Sequence, residues 1–345
     1  MARIVLADDG IEFDGDSPSL GPLGGVESSI VNLMNELAKR GHEVSVRNMC
    51  PEAKVINGVD WAPLASGLPD KADLYIANRG DKLIELMPAA KRTVFWTHNP
   101  AQYVLKWRYL SKLWRVKPAI IFIGDYHSTT YPAWAPGGER VVIPYGIADK
   151  FCQFSPREDL PPRRAIFTSN PLRSLDWLLE IWVHDIYPHA PDAELHLFSG
   201  SATYGSAGAA KAEEMETILD KARALADQGV RLRGPVPKAA LIQEFREARV
   251  MLYRGDLNET FCLAVGEAQA SGVPGVVQKL GSVVERIIDG ETGRVAGTDK
   301  EFAKAAVELL NDDALWLRQH ETAIEKQSAW RWEQAAMAFE ELIPE

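Results

Sequence analysis

Two carboxylates, Glu259 and Glu267, stand eight positions apart in the stretch Asp256-Leu-Asn-Glu259-Thr260-Phe261-Cys262-Leu263-Ala-Val-Gly-Glu267. An ionised carboxylate accepts several hydrogen bonds and suits the gripping of vicinal hydroxyls. Phe261, Ala264, Val265 and Ala268 recur at spacings of three and four, which predicts a helix with one apolar face. Glu259 falls just before or at the start of that helix and Glu267 eight positions on, so the helical rise separates them by about 12 Å along the axis, as two acids on one short rod. A glycosidase acid/base pair wants about 5–9.5 Å. The longer span suits two hydroxyl-bearing rings joined by a diphosphate. The plainer alternative is a pair of solvated glutamates on a helix face. Gly272 fits the left-handed position after the last turn, and Pro274 forbids continuation into the buried strand that reaches Val277.

Three other places hold residue types with chemical potential. Gly24 and Gly25 open a helix whose apolar stripe is Ile30, Leu33, Met34, Leu37 and Ala38. Glycines there let backbone N–H groups and the helix dipole meet a phosphate. The spacing G-x-G-x-x-G is absent, so this is no dinucleotide fingerprint. His98 ends the apolar run from Thr93, and ligands of parallel sheets bind beyond the strands' carboxyl ends. A structural histidine is the other reading, and His127 is the second contender. Asp14-Gly-Asp16 has the outline of a metal-binding D-x-D, but Asp and Gly favour turns and no ligand neighbours them, so it reads as a solvated turn.

The elements that must hold these residues alternate between strand and helix. Ile4–Ala7, Val44–Val46, Leu74–Ala77, Thr93–His98 and Ala119–Gly124 read as buried strands, as do Ala165–Ser169, Glu194–Phe198 and Arg249–Tyr253. Such alternation implies mostly parallel sheets. A length of 345 residues suggests two or three domains. The net charge of −10 and the pI near 5.3 argue against nucleic acid as a partner. Cys50, Cys152 and Cys262 are scattered, with neither metal-ligand nor disulfide spacing, which points to a reducing cytoplasm. The N-terminus lacks the long apolar core of a signal peptide, and no apolar run is long enough to span a bilayer. The proline-rich segment Lys150–Arg164 reads as a linker, and Tyr204–Ala210 as a flexible loop.

Glu259, seven intervening residues, Glu267 and then Ala-x-Ala-x-Gly-x-Pro resemble the E-x7-E motif of retaining glycosyltransferases of the GT-B fold, family 4 in particular. Gly24-Gly25-Val-Glu27 and Arg40-Gly41-His42-Glu-Val are similar to that family's G-G-x-E turn and its strand entry. Pro144-Tyr145-Gly146-Ile147 resembles its P-N-G-V/I-D crossing, with Tyr145 and Ala148 in place of Asn and Asp. The resemblance covers most of the chain and is strongest from Arg249 to Gly293. It implies two Rossmann-like domains with a cleft between them: an acceptor domain at 1–150, a nucleotide-sugar domain at 151–325, and a C-terminal helix at 326–345 crossing back to the first. Catalysis falls to His98, Glu259 and Arg173. Donor binding falls to Gly24, Gly25, Arg173, Glu259, Thr260, Phe261, Cys262, Leu263 and Glu267.

In that family an Arg and a Lys meet the donor diphosphate. Arg173 takes the lysine position, and the arginine has no clear counterpart. The implied reaction is front-face transfer from a nucleotide sugar to a glycan or lipid-linked acceptor, without a metal or other cofactor. The alternatives left open are a nucleotide-sugar-binding protein without transfer activity and a GT-B epimerase or phosphorylase. The segment 104–117 sets Val104, Trp107, Leu110, Leu113 and Trp114 on one side of a helix, with Lys106, Arg108, Lys112, Arg115 and Lys117 mostly elsewhere. In an acidic chain this suggests contact with an anionic membrane surface, the alternative being an ordinary core-facing helix.

Overall fold

The computed structural model describes residues 1–21, 23–200 and 211–345. The stretch read as a loop, Tyr204–Ala210, lies outside the described residues. The chain forms two compact units. The first contains Met1–Leu20, Gly25–Gly146 and Trp330–Glu345, and the second Gly21–Gly24 and Ile147–Ala329.

The first unit is built on strands β1 (Arg3–Asp8), β2 (Glu43–Asn48), β3 (Lys54–Ile56), β4 (Val59–Pro63), β5 (Leu74–Asn78), β6 (Arg92–Trp96), β7 (Ala119–Phe122) and β8 (Arg140–Val142). Their order is β3-β4-β2-β1-β5-β6-β7-β8, and only the β3–β4 pair is antiparallel. Ile4, Val5, Leu6 and Ala7 are all buried, the continuous apolar run of a strand covered on both faces. Helix Gly25–Lys39 buries Ile30, Leu33, Met34 and Leu37. Helix Trp332–Glu340 packs in the same unit: Phe339 meets Trp96 edge-on at 5.2 Å, and Arg40 donates to both oxygens of Glu340 at 2.7 Å. The change of unit falls after Gly146 and again before Trp330.

The second unit carries β9 (Arg164–Phe167), β10 (Glu194–Leu197), β11 (Val230–Leu232), β12 (Val250–Tyr253), β13 (Gly275–Gln278) and β14 (Gly293–Ala296). All are parallel, in the order β11-β10-β9-β12-β13-β14. Numbered within the unit this is 3-2-1-4-5-6, the doubly wound order, whose direction reverses between β9 and β12.

Several sequence expectations need correction. The helix of the two-glutamate stretch spans only Leu263–Ala270, because Cys262 adopts a left-handed backbone at φ 66° and delays its start. Glu259 therefore precedes the helix, and the two acids do not share one rod. Nor is there one apolar face: Val265 through Ala270 are all buried, Glu267 included. Gly272 does end the helix, at φ 85°, with Val273 N–H donating to Ala268 O at 2.9 Å. The start of the supposed linker is part of the second unit, because Phe151 is fully buried in its core. Asp14 is a turn residue, its carboxylate accepting from the N–H groups of Asp16 (2.9 Å) and Ser17 (3.1 Å).

Candidate active site

In the second unit, residues from distant parts of the sequence meet at the carboxyl ends of the two central strands. Arg173 follows β9, its N–H bonded to Asn170 O at 2.9 Å. Glu259 follows β12, and Ser282 N–H holds its carbonyl at 3.2 Å. The Arg173 guanidinium stands 3.5 Å from the carboxylates of both Glu259 and Asp256. The Glu259 carboxylate also accepts from the Tyr253 hydroxyl at the end of β12. Only 17% of the Glu259 side chain is exposed, so it is turned away from bulk solvent. Burial pushes the Glu259 carboxyl above its ordinary value, and Arg173 and Tyr253 oppose that push. The reversal point between β9 and β12 is where an open parallel sheet leaves a crevice for ligands.

The intervening residues are well ordered by packing. Thr260 and Phe261 are buried, and the Arg286 guanidinium lies 4.2 Å from the Phe261 ring centre. Burial, then the charge of Glu259, pushes the Cys262 thiol well up, so it remains a protonated, inert thiol. Leu263, half-buried, begins the helix.

Glu267 is enclosed, with 6% of its side chain exposed, and pairs with Lys238 from the first turn of helix Lys238–Arg246. Lys238 and Lys150 both lie 5.7 Å from the centre of the Phe151 ring. Burial lowers the Lys150 ammonium's proton affinity; Lys238 lowers it further and Glu267 opposes. This corner thus holds two cations beside one acid. Sequence reasoning did not find Lys238, Lys150, Tyr253 or Asp256. The strand-end position of Tyr253 was a usable signal; Lys238 carried none, since its pairing with Glu267 exists only in the fold.

The first unit holds the other predicted residues except Gly24, which belongs to the second. His98 is buried at the end of β6, and its Nε2 lies 2.6 Å from Asn78 Oδ1. Asn78 Nδ2 donates to Asp8 at 2.7 Å, which fixes Oδ1 as the acceptor, so His98 Nε2 carries the proton. Its Nδ1 then accepts from the Tyr145 hydroxyl at 2.5 Å. Burial holds His98 well below the usual histidine range, and it is neutral. The ring expected to touch a sugar thus has both nitrogens engaged inside its own unit. Tyr145, which stands where the sequence resemblance expects an asparagine, is one of those partners. Asp8 and Glu27 share the Arg79 guanidinium at 2.8 and 2.9 Å. His127 is likewise occupied: Nδ1 accepts from Ile123 N–H at 3.1 Å and Nε2 donates to Asn99 O at 2.8 Å. Gly25 is the first residue of helix Gly25–Lys39 and is exposed; Gly24, half-buried, precedes it.

Residues 164–312 match the family model described as glycosyl transferases group 1. The D-inositol 3-phosphate glycosyltransferase of Corynebacterium diphtheriae is 34% identical over 138 residues, 39% of this chain and 32% of that protein. The enzyme of the same name from Streptomyces avermitilis is 33% identical over 133 residues, 38% of this chain and 28% of its own length. These matches span a third or less of each relative. Among solved structures, sucrose-phosphate synthase from Thermosynechococcus elongatus superposes with a TM-score of 0.75 at 17% identity, covering 99% of this chain and 98% of that one. Anabaena Alr3699/HepE in complex with UDP-glucose superposes with a TM-score of 0.73 at 15% identity, covering 99% of both chains. Likeness at that identity shows the fold.

Proposed function

From a chain with the GT-B fold, whose second unit carries a glycosyl transferases group 1 segment, we propose a retaining glycosyltransferase that moves a hexosyl group from a nucleotide sugar to a glycan or lipid-linked acceptor. The carrying observation is the meeting of Arg173 and Glu259 at 3.5 Å where the second sheet reverses direction. In this reading Glu259 accepts hydrogen bonds from donor-sugar hydroxyls, and Arg173 faces the charge that develops on the leaving diphosphate. Glu267 accepts from the ribose hydroxyls, with Lys238 beside it as the second cation. The leaving phosphate takes the acceptor proton, and positioning with charge stabilisation lowers the barrier. No metal is assigned a role in this reading, in which Arg173 and Lys238 would meet the charge of the diphosphate. His98 enters as a positioning residue, since its ring nitrogens are spent on Asn78 and Tyr145. The compartment that fits is the cytoplasm, where nucleotide sugars are made, and the setting that fits is surface polysaccharide or glycolipid synthesis.

A thermal-shift screen against UDP-, GDP-, ADP- and CMP-sugars tests the donor assignment. One nucleotide class is expected to raise Tm in the wild type and to raise it less in Glu267→Ala. Nucleotide release with an acceptor panel, followed by NMR of the product's anomeric proton, tests transfer and retention. Tight donor binding with no release on any acceptor supports a binding protein instead; an epimerised sugar formed without acceptor supports the epimerase.

A further inference from the structure

Helix Trp107–Val116 in the first unit distributes its residues differently from what the sequence stripe suggested. Tyr109 and Leu113 are buried and join Val104, Phe95 and Phe122 in the core beneath the sheet. Trp107 and Trp114, seven positions and two turns apart, instead point outward with 79% and 71% of their surface exposed. Half-buried Leu110 lies between them on the same side. A third indole, Trp134, is 71% exposed on the loop after Tyr131. That loop is fastened to the end of the helix, with Gly138 N–H donating to Pro118 O at 2.8 Å, and its Ala135 packs in the cluster containing Leu113.

Cations frame the indoles. The segment from Val104 to Lys117 contains Lys106, Arg108, Lys112, Arg115 and Lys117 and no acid. Lys112 is set apart: it is mostly covered and clamps Asp81, reaching the carboxylate at 2.8 Å and the carbonyl at 3.1 Å. Arg108 and Arg115 touch Asp81 and Glu85 but leave 61% and 69% of their side chains exposed. Lys106 and Lys117 flank the helix and are exposed, with no ion pair among the described residues. Tryptophan suits the boundary between water and hydrocarbon because its ring is apolar and its N–H is polar. A helix with exposed indoles between basic side chains lies flat in such a boundary and is drawn there by anionic headgroups.

We propose that this face of the first unit docks on an anionic phospholipid bilayer, with Trp107, Leu110, Trp114 and Trp134 entering the headgroup region and Lys106, Arg108, Arg115 and Lys117 contacting lipid phosphates. No helix among the described residues is long and apolar enough to cross a membrane, so the contact is superficial. The face is independent of the site around Glu259, and vesicle binding needs no glycosyl transfer. Failure of one reading therefore leaves the other standing.

Co-sedimentation of the full chain with phosphatidylglycerol/phosphatidylcholine vesicles, against phosphatidylcholine alone, is the test. The chain should pellet with the anionic vesicles only, and raising salt should release it. Each of Lys106→Glu, Arg108→Glu and Lys117→Glu should weaken partitioning at least about fivefold, and Arg108→Lys should restore binding. Joint replacement of Trp107, Trp114 and Trp134 by Ala should abolish it without a blue shift in indole fluorescence; the charge series stands alone if that variant misfolds. Absence of wild-type binding overturns the proposal, as does equal binding to both vesicle types. So does a dimer that the tryptophan variant dissolves while vesicles are ignored, since the face would then belong to a second copy.

Discussion

Replacing Glu259 by Gln separates function from stability in a way that follows from the site's electrostatics. The carboxylate lies 3.5 Å from Arg173, a gross attraction of about 5 kcal/mol at an effective dielectric near 20. Withdrawing a carboxylate from water costs several kcal/mol. The direction of the Glu259 shift decides between them: its carboxyl is held above the ordinary value, so burial outweighs Arg173 and Tyr253. Arg173 also keeps Asp256 at the same distance. A neutral side chain of the same shape should therefore leave the folded state unchanged or raise its stability by up to about 1 kcal/mol, a Tm gain of a few degrees. The sign of the pH dependence follows: with the folded value raised, the acid's contribution is present below its unfolded value and is lost as pH rises through the folded one, and Glu259→Gln removes that loss. Transfer should behave oppositely. A charge-assisted hydrogen bond to a sugar hydroxyl contributes about 1.5–3 kcal/mol, so two of them predict a loss of at least about 100-fold in kcat/KM. Differential scanning fluorimetry without ligand and initial rates with the donor found by screening give both numbers. A variant destabilised by more than about 2 kcal/mol with normal rates would refute the reasoning, because the acid would then be a structural ion-pair partner.

Other outcomes follow from the same physics. Glu267→Ala should weaken nucleoside diphosphate binding roughly 10- to 100-fold by calorimetry through the loss of a charge-assisted bond, while unchanged affinity would remove Glu267 from the donor site. His127, lowered to about 4 by burial, keeps its neutral form because Nδ1 must accept from Ile123 N–H. Its contribution of about 3 kcal/mol is complete above pH ~6.5 and lost as pH falls toward 4; denaturant melts over that range, with the ring proton followed by NMR, check it, and a midpoint above 6 contradicts it. Gly272→Ala meets a φ of 85° and would drive the added Cβ into the His320 ring; a loss of about 1–3 kcal/mol is expected in the same melts.

The sequence alone determined what depends on local order. Ile4–Ala7 and Val250–Tyr253 were legible because a strand covered on both faces must be a continuous apolar run. Gly272 followed by Pro274 announced the helix end because few residues tolerate that backbone geometry. The glutamate motif was visible as spacing, but the late start of its helix was not, since no local pattern announces a left-handed cysteine at 262. Only the tertiary structure decided which groups are desolvated and paired. Lys238 reaches Glu267 across 29 positions, and Tyr253 and Arg173 converge on Glu259 from adjacent strands. His98 was found at its strand end, but only packing revealed that Asn78 and Tyr145 engage both its nitrogens. In the helix at Trp107–Val116 the periodicity specified a stripe, and the sheet's position decided that Tyr109 and Leu113 face inward while the indoles face water. Periodicity is a property of neighbours along the chain, whereas burial and charge pairing belong to neighbours in space.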